Sequence, residues 1–257
     1  MKIGIIGGGV VGSATARCYL EHVDVVRVYD IISQKATHSI EDTLDTDIIF
    51  VCLPTPASAD GLDTSILDDF FKLPLLNYKK LVIKSTVPIG YTKSLPLPNI
   101  VHSPEFLTSR CSFVDAQIPS RNLIGCPTKG NFAMDALYEL YKYRFPSVPI
   151  YLLSSDETEA IKLFTNAFFA VKVTFFNDLY QLSKKLDLKW SNIIYPMLAD
   201  ERIGSSHTKV PGMDGLFGFG GDCLPKDLLE VIKTQLKFAN ISVCAAASIC
   251  NKEHRRQ

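Results

Sequence analysis

Lys2-Ile3-Gly4-Ile5-Ile6-Gly7-Gly8-Gly9-Val10-Val11-Gly12, read on to Asp30, decides the fold of this chain. Lys2–Ile6 is a short apolar run of strand character, and residues 13–20 read as a helix whose Ala14, Thr15, Ala16 and Cys18 are small enough to pack on a sheet. Val25–Tyr29 is a second strand, closed by Asp30. Gly7, Gly9 and Gly12 then fall at Gly-x-Gly-x-x-Gly spacing inside one strand–helix–strand unit. The three glycines permit a tight turn, the approach of a pyrophosphate, and close packing of helix on strand. The helix N-terminus favours an anion. Asp30 can accept hydrogen bonds from the adenosine ribose hydroxyls, and a carboxylate there disfavours a 2′-phosphate. The expectation is therefore NAD rather than NADP, with a purely structural glycine turn as the competing reading.

Outward from this unit the alternation continues. Residues 47–53 form a buried strand stopped by Pro54-Thr55-Pro56, residues 67–73 a helix, and residues 80–84 a strand running into Ser85-Thr86-Val87-Pro88-Ile89-Gly90. Ile100–His102 precedes Ser103-Pro104-Glu105-Phe106-Leu107; residues 122–125 and 148–152 are further strands, and residues 132–145 an amphipathic helix. Ligands of such sheets gather at the carboxyl ends of the strands, where the Pro-Thr-Pro, Ser-Thr-Val-Pro and Pro-Glu-Phe segments fall. The fold class is α/β: a doubly wound, parallel Rossmann-type sheet over residues 1–153, followed by a helical domain over residues 154–257.

In that second part Ser155 or Asp156 can cap a long helix over residues 157–186, and residues 192–200 form another. Lys162 and Asn166 are four apart and share a face, unless they are merely a surface lysine and an incidental amide. The aromatic stripe Phe164, Phe168, Phe169, Phe175 and Phe176 suits a homodimer interface, with intrachain core as the simpler alternative. A glycine-rich loop over residues 204–221 ends in Phe217-Gly218-Phe219-Gly220-Gly221-Asp222-Cys223-Leu224-Pro225-Lys226-Asp227. Gly218, Gly220 and Gly221 let backbone N–H groups approach a ligand. Pro225 suits the first position of a helix, which puts Lys226 and Asp227 in its first turn. A thiol just outside a helix N-terminus meets partial positive charge, which favours the nucleophilic thiolate. The alternative is that Cys223 is a small buried hydrophobe. Residues 227–237 and 239–250 close the chain helically.

The bulk numbers exclude other classes. The 257 residues are 47% hydrophobic and 21% charged, with 27 basic and 27 acidic side chains, so no basic excess is available for nucleic acid. Seven Cys without a C-x-x-C pair suggest neither a disulfide framework nor a zinc site, and no metal is expected. No signal peptide or bilayer-length apolar run is legible, so no membrane partner and a cytoplasmic location are expected.

Together these segments resemble the UDP-glucose/GDP-mannose dehydrogenase family. Gly7 to Gly12 with Asp30, Leu53-Pro54-Thr55-Pro56, the stretches beginning at Ser85 and Ser103, Glu159-Ala160-Ile161-Lys162-Leu163-Phe164-Thr165-Asn166, Arg202-Ile203-Gly204 and the Phe217 to Asp227 stretch occur in the family's order. The resemblance implies oxidation of a nucleotide-sugar C6 alcohol to the carboxylate with two NAD⁺ and no metal, through a thiohemiacetal and thioester on Cys223. It implies that Lys162 and Asn166 stabilise an oxyanion, that Thr86 and Asp227 hold and activate water, and that Glu105 assists thioester hydrolysis. By the same resemblance Gly7, Gly9, Val10, Val11, Gly12, Asp30, Lys35, Pro54, Thr55, Thr86 and Lys226 contact the cofactor. Phe106, Leu107, Lys162, Asn166, Phe217, Gly218 and Gly220 contact the nucleotide sugar, and Arg202 reaches it across a dimer interface. Three departures from the resemblance stand out: Ser109 replaces the family's second Glu; the segment between Asp30 and Cys52 is short, so a helix there is expected to be reduced or absent; and the sequence stops at Gln257, before the family's third domain, which leaves a separate chain, a naturally compact protein or a piece of a longer one as open readings. Two other readings remain at this point: a shortened NAD- or nucleotide-sugar-binding subunit without turnover, and a two-electron dehydrogenase of the β-hydroxyacid type, which needs no Cys223.

Overall fold

A computed structural model describes residues 1–257 except Asp60, Ser109, Lys129, Asn240, Ile241 and Gln257. The chain separates into two compact units, Met1–Pro56 with Asp63–Lys162, and Ala57–Leu62 with Leu163–Gln257.

The first unit is built on apolar runs that have no polar face. Strands β1 (Lys2–Ile6) and β3 (Ile48–Val51) are buried almost throughout, as parallel strands covered on both faces must be. Together with β2 (Val25–Tyr29), β6 (Leu81–Ile83), β7 (Ile100–His102), β8 (Asn122–Cys126) and β9 (Ile150–Ser154) they form the main sheet in the order β2-β1-β3-β6-β7-β8-β9, while β4 (Ala57–Ser58) and β5 (Gly61–Leu62) pair only with each other. Neighbouring strands are parallel except β7 and β8, which run antiparallel with His102 opposite Gly125. The expected doubly wound sheet is thus mostly parallel. Strand order reverses at β1 and β3, and the crevice outside their carboxyl ends is where such sheets take ligands.

Helix α1 (Val10–Tyr19) starts three residues earlier than the spacing predicts, directly from Gly9. It covers one face of the sheet, where Ile3, Ile5, Phe50, Val82 and Ile124 form a core. Ile6, Ile49, Val51, Leu81 and Ile83 form the core of the other face. The short segment after Asp30 carries only α2 (Ile40–Leu44), capped by Ser39, whose Oγ accepts from the Asp42 amide. Helix α3 (Ser65–Phe71), the short α4 (Tyr91–Ser94) and α5 (Ser112–Gln117), and α6 (Phe132–Arg144) complete the layers. Four residues in α4 and six in α5 span too few helical turns to leave a periodic trace, and neither helix is legible in the sequence. Asn131 caps α6: its Oδ1 accepts from the Ala133 amide while its Nδ2 donates to the Ile100 carbonyl at 2.9 Å, fixing the helix to β7.

Helix α7 (Ser155–Lys185) begins in the first unit and continues in the second. The second unit also holds the β4–β5 hairpin, α8 (Trp190–Leu198), α9 (Leu224–Gln235) and α10 (Val243–His254). Its core is Leu62, Leu163, Ala167, Ala170, Phe219, Leu228, Val231 and Ile232. Glu230, buried on α9, accepts the Leu62 amide at 3.0 Å and so anchors the hairpin. The last helix lies four residues later than expected because Ser242 caps it, its Oγ accepting from the Ala245 amide. Among the described residues no helix is long and apolar enough to cross a membrane.

Candidate active site

The glycine turn at the end of β1 divides its work residue by residue. Gly7 holds φ +96°, a left-handed conformation that a side chain strains. A Cβ on Gly12 would overlap the Gly7 carbonyl oxygen, so glycine there lets α1 close against its own strand. A Cβ on Gly9 would meet no atom within 4 Å, which leaves its surface as an open cradle at a helix N-terminus. Val10 borders this cradle, 60% exposed, with Val11 half-buried beside it. Asp30 closes β2 as expected and braces the turn: its two oxygens accept the Gly8 amide at 2.7 Å and the Ile32 amide at 2.8 Å. Lys35 is exposed in the 3-10 turn Ser33–Lys35.

The loops after β3 and β6 are joined to each other. Thr55 Oγ1 donates to the Thr86 carbonyl at 2.7 Å, and Ser85 Oγ donates to the Leu53 carbonyl at 2.6 Å. Pro54 lies within that bridge, and Thr86 is half-buried. Glu159, fully buried on α7, accepts the Gly90 amide at 2.6 Å and the Thr92 amide at 2.8 Å, holding the far end of the Thr86 loop. Burial raises its pKa, and these amides oppose the shift. His102, sealed between Thr158 and the Ser85 carbonyl, is pushed down to about 3 by burial and stays neutral.

A first catalytic-type pair lies in this unit. Lys162 is 4% exposed, so it is not a surface lysine. Its Nζ donates to Glu105 Oε1 at 3.0 Å and to the Glu105 carbonyl at 2.7 Å, while Glu105 Oε2 accepts the Leu107 amide at 2.5 Å. Phe106 stacks under the Arg121 guanidinium, 4.0 Å from ring centroid to Cζ. Ser109 lies outside the described residues.

A second pair lies in the other unit. Asp227 is fully buried in the first turn of α9; its Oδ2 accepts from Asn166 Nδ2 at 2.5 Å and its Oδ1 from Lys226 Nζ at 2.7 Å. Lys226, expected at the cofactor, is thus engaged by its neighbour. Helix α9 starts at Leu224, so Pro225 takes its second position and Cys223 is the N-cap residue. Cys223 is exposed, not a packed small hydrophobe, and its carbonyl accepts the Asp227 amide at 3.1 Å.

The loop ahead of Cys223 is held from behind. Asn177 Oδ1 accepts the Gly218 amide at 2.9 Å; Asn251 Oδ1 accepts the Phe219 amide at 2.7 Å and its Nδ2 donates to the Phe219 carbonyl at 3.0 Å. Arg255 Nε donates to the same carbonyl at 3.0 Å. A Cβ on Gly218 would overlap Asn251 Oδ1, and one on Gly220 the Arg255 guanidinium, so these glycines admit side chains from α10 and the residue that ends it; at Gly221, next to Cys223, a Cβ would meet nothing within 4 Å. Phe217 packs on Tyr180, ring centroids 5.6 Å apart. Asn177, Asn251 and Arg255 carry no local sequence signal: they are polar residues on helices until the loop is folded against them. Arg202 stands exposed, forked onto Asp200 at 2.9 and 3.1 Å through Nε. The aromatic stripe divides, with Phe164, Phe168 and Phe175 exposed and Phe176 buried.

Residues 156–253 match the central domain of the UDP-glucose/GDP-mannose dehydrogenase family. The chain is 31% identical over 270 residues to UDP-glucose 6-dehydrogenase of Campylobacter jejuni, covering 90% of this chain and 67% of that protein. It is 30% identical over 275 residues to UDP-glucose 6-dehydrogenase of Streptococcus pneumoniae, covering 90% of this chain and 68% of that one. Its fold is similar to that of a UDP-glucose dehydrogenase from Pyrobaculum islandicum, with a TM-score of 0.82 at 24% identity over 98% of this chain and 68% of that chain. A glycine cradle closed by Asp30, a buried lysine on Glu105 and an exposed cysteine at the N-cap position of α9 thus sit in a chain that matches such relatives over about nine-tenths of its length, and it belongs to the UDP-glucose/GDP-mannose dehydrogenase family.

Proposed function

We propose that this chain oxidises the C6 primary alcohol of a UDP-glucose-like nucleotide sugar to the carboxylate, using NAD and a covalent adduct on Cys223. The observation that carries this reading is the exposed Cys223 at the N-cap of α9, with buried Asp227 one turn on and tied to Asn166. The open surface at Gly9 and the carboxylate of Asp30 suit the pyrophosphate and adenosine ribose of NAD, with Val10, Val11, Lys35, Pro54 and Thr55 at its border. Bound NAD supplies a hydride acceptor for each of two oxidations.

The chain's own residues do the rest. After the alcohol has given up a hydride and a proton, the Cys223 thiolate adds to the aldehyde carbon. A C–S bond forms and the carbonyl π pair becomes an oxyanion, then a hydroxyl. Lys162 charge and the Asn166 amide stabilise that oxygen. Loss of a second hydride and the hydroxyl proton leaves a thioester. Thr86 and Asp227 orient water, Glu105 takes its proton, the C–S bond breaks to regenerate the thiolate, and the acid is released. Per sugar, one water is consumed and two hydrides and three protons leave. Phe106, Leu107, Phe217, Gly218 and Gly220 border the sugar nucleotide. A homodimer through the exposed Phe164, Phe168 and Phe175 would bring Arg202 to a neighbouring site; light scattering that gives a monomer at micromolar concentration removes that part.

The test is NADH release across a panel of UDP- and GDP-sugars. Two NADH per sugar with little free aldehyde are expected, and Cys223→Ala should lose acid formation by roughly a thousandfold or more while binding NAD normally. Cys223→Ser should accumulate an ester visible by intact-protein mass spectrometry. Normal turnover to the acid in Cys223→Ala would overturn the covalent reading.

A further inference from the structure

The loop that carries Thr86 is held at both ends, and both holds lead to neighbouring residues of α7. At its start the Ser85 carbonyl meets His102 Nε2 at 3.3 Å, and His102 Nδ1 meets Thr158 Oγ1 at 2.9 Å. At its end the Gly90 and Thr92 amides donate to Glu159, one to each carboxylate oxygen. Between the holds Val87 is fully buried, while Thr86 is only half-buried. Glu159 is itself fully buried, and no cation pairs with it among the described residues. A carboxylate so placed is costly unless hydrogen bonds meet its charge, and here two backbone donors meet it. A glutamine would not serve, because it offers one acceptor and one donor where the loop presents two donors.

Lys162, three residues beyond Glu159 on α7, donates to the carboxylate and the carbonyl of Glu105. The start of α7 therefore fixes the Thr86 loop through Thr158 and Glu159, and Glu105 through Lys162, all within the first unit.

We propose that Glu159 is a positioning residue for thioester hydrolysis: by holding the loop at Gly90 and Thr92 it sets Thr86 relative to Glu105, and with them the water that the two share. This role rests on the oxidation proposed above and concerns its last step, in which the water oxygen bonds to the acyl carbon, a proton passes to Glu105 and the C–S bond breaks to free the Cys223 thiolate.

The test is rapid mixing of Glu159→Gln with NAD and the sugar nucleotide that the wild type turns over best. Two NADH per subunit should appear in a burst, followed by steady turnover about tenfold to a hundredfold slower than the wild type. Intact-protein mass spectrometry should show the acyl group on the variant, and Cys223→Ala in the same background should remove it. Because the steps up to acylation are spared, kcat should fall while kcat/KM holds, whereas a general loosening of the fold lowers both. Gly90→Ala strains a φ of +92° without meeting any atom within 4 Å. It loosens the same hold from the loop side, should give the same burst and adduct, and carries the test if Glu159→Gln fails to fold. A wild type that turns over no sugar nucleotide overturns the oxidation reading and this role with it. With a competent wild type, variants that keep the wild-type rate, or that lose kcat and kcat/KM alike without an adduct, overturn this role alone.

Discussion

Two glycine-rich stretches, one in each unit, read alike in sequence and do different work. In the stretch from Gly7 to Gly12, one glycine turns the chain, one lets backbone meet backbone, and Gly9 faces open space. In the stretch from Gly218 to Gly221, Gly218 and Gly220 give way to Asn251 and Arg255, and the Gly218 and Phe219 amides are taken by Asn177 and Asn251. The first is a cradle; the second is a joint that sets where the next residues, and Cys223, emerge. Glycine counts alone do not separate these roles, because a missing Cβ makes room equally for a ligand, a carbonyl or a side chain.

The comparison can be broken most severely at Gly12. Gly12→Ala forces a methyl into the Gly7 carbonyl, which is backbone and cannot swing aside. A loss of about 3 kcal/mol or more is expected, read from urea unfolding. Gly218→Ala should cost about 2 kcal/mol through its φ of +71° and the Asn251 contact. Here the obstacle is a side chain, so adding Asn251→Ala should recover part of the loss in a double-mutant cycle. Strictly additive losses would show that α10 does not fill the Gly218 position.

The cradle is sharpened by two binding measurements. Asp30→Ala should weaken NAD about tenfold or more, roughly 1–2 kcal/mol of charge-assisted hydrogen bonding, and equal or tighter binding of NADP by the wild type would contradict the role of Asp30. Gly9→Ala should be the mildest change to the fold, within about 0.5–1 kcal/mol and of stabilising sign, since its φ of −70° suits any residue. The same methyl occupies the cradle, so NAD affinity should fall while the melting temperature holds or rises. Unchanged affinity in Gly9→Ala would return this turn to a purely structural role.

Much of the candidate site was legible because it is local. Lys162 and Asn166 one helical turn apart, Asp227 one turn beyond Cys223, and Asp30 at the end of β2 follow from spacing along single elements. Glu159, Asn177, Asn251 and Arg255 were not legible in these roles. Each acts on a loop tens of residues away in sequence, and a polar residue on a helix looks the same whether it faces solvent or a buried amide. The β4–β5 hairpin was missed for a related reason: two-residue strands have no period, and their register rests on Glu230 of α9.

By itself the sequence determined the α/β class, the strand–turn–helix–strand unit with its three glycines, and the α9 N-terminus that carries Cys223, because apolar periodicity and backbone sterics act within a few residues. Only the tertiary structure decided that Lys162 is buried on Glu105, that Asp227 is shared between Asn166 and Lys226, and that α10 holds the second glycine loop. Those outcomes depend on which distant groups a fold brings within about 3 Å, the range over which hydrogen bonds and ion pairs act, and no periodicity along the chain encodes that distance.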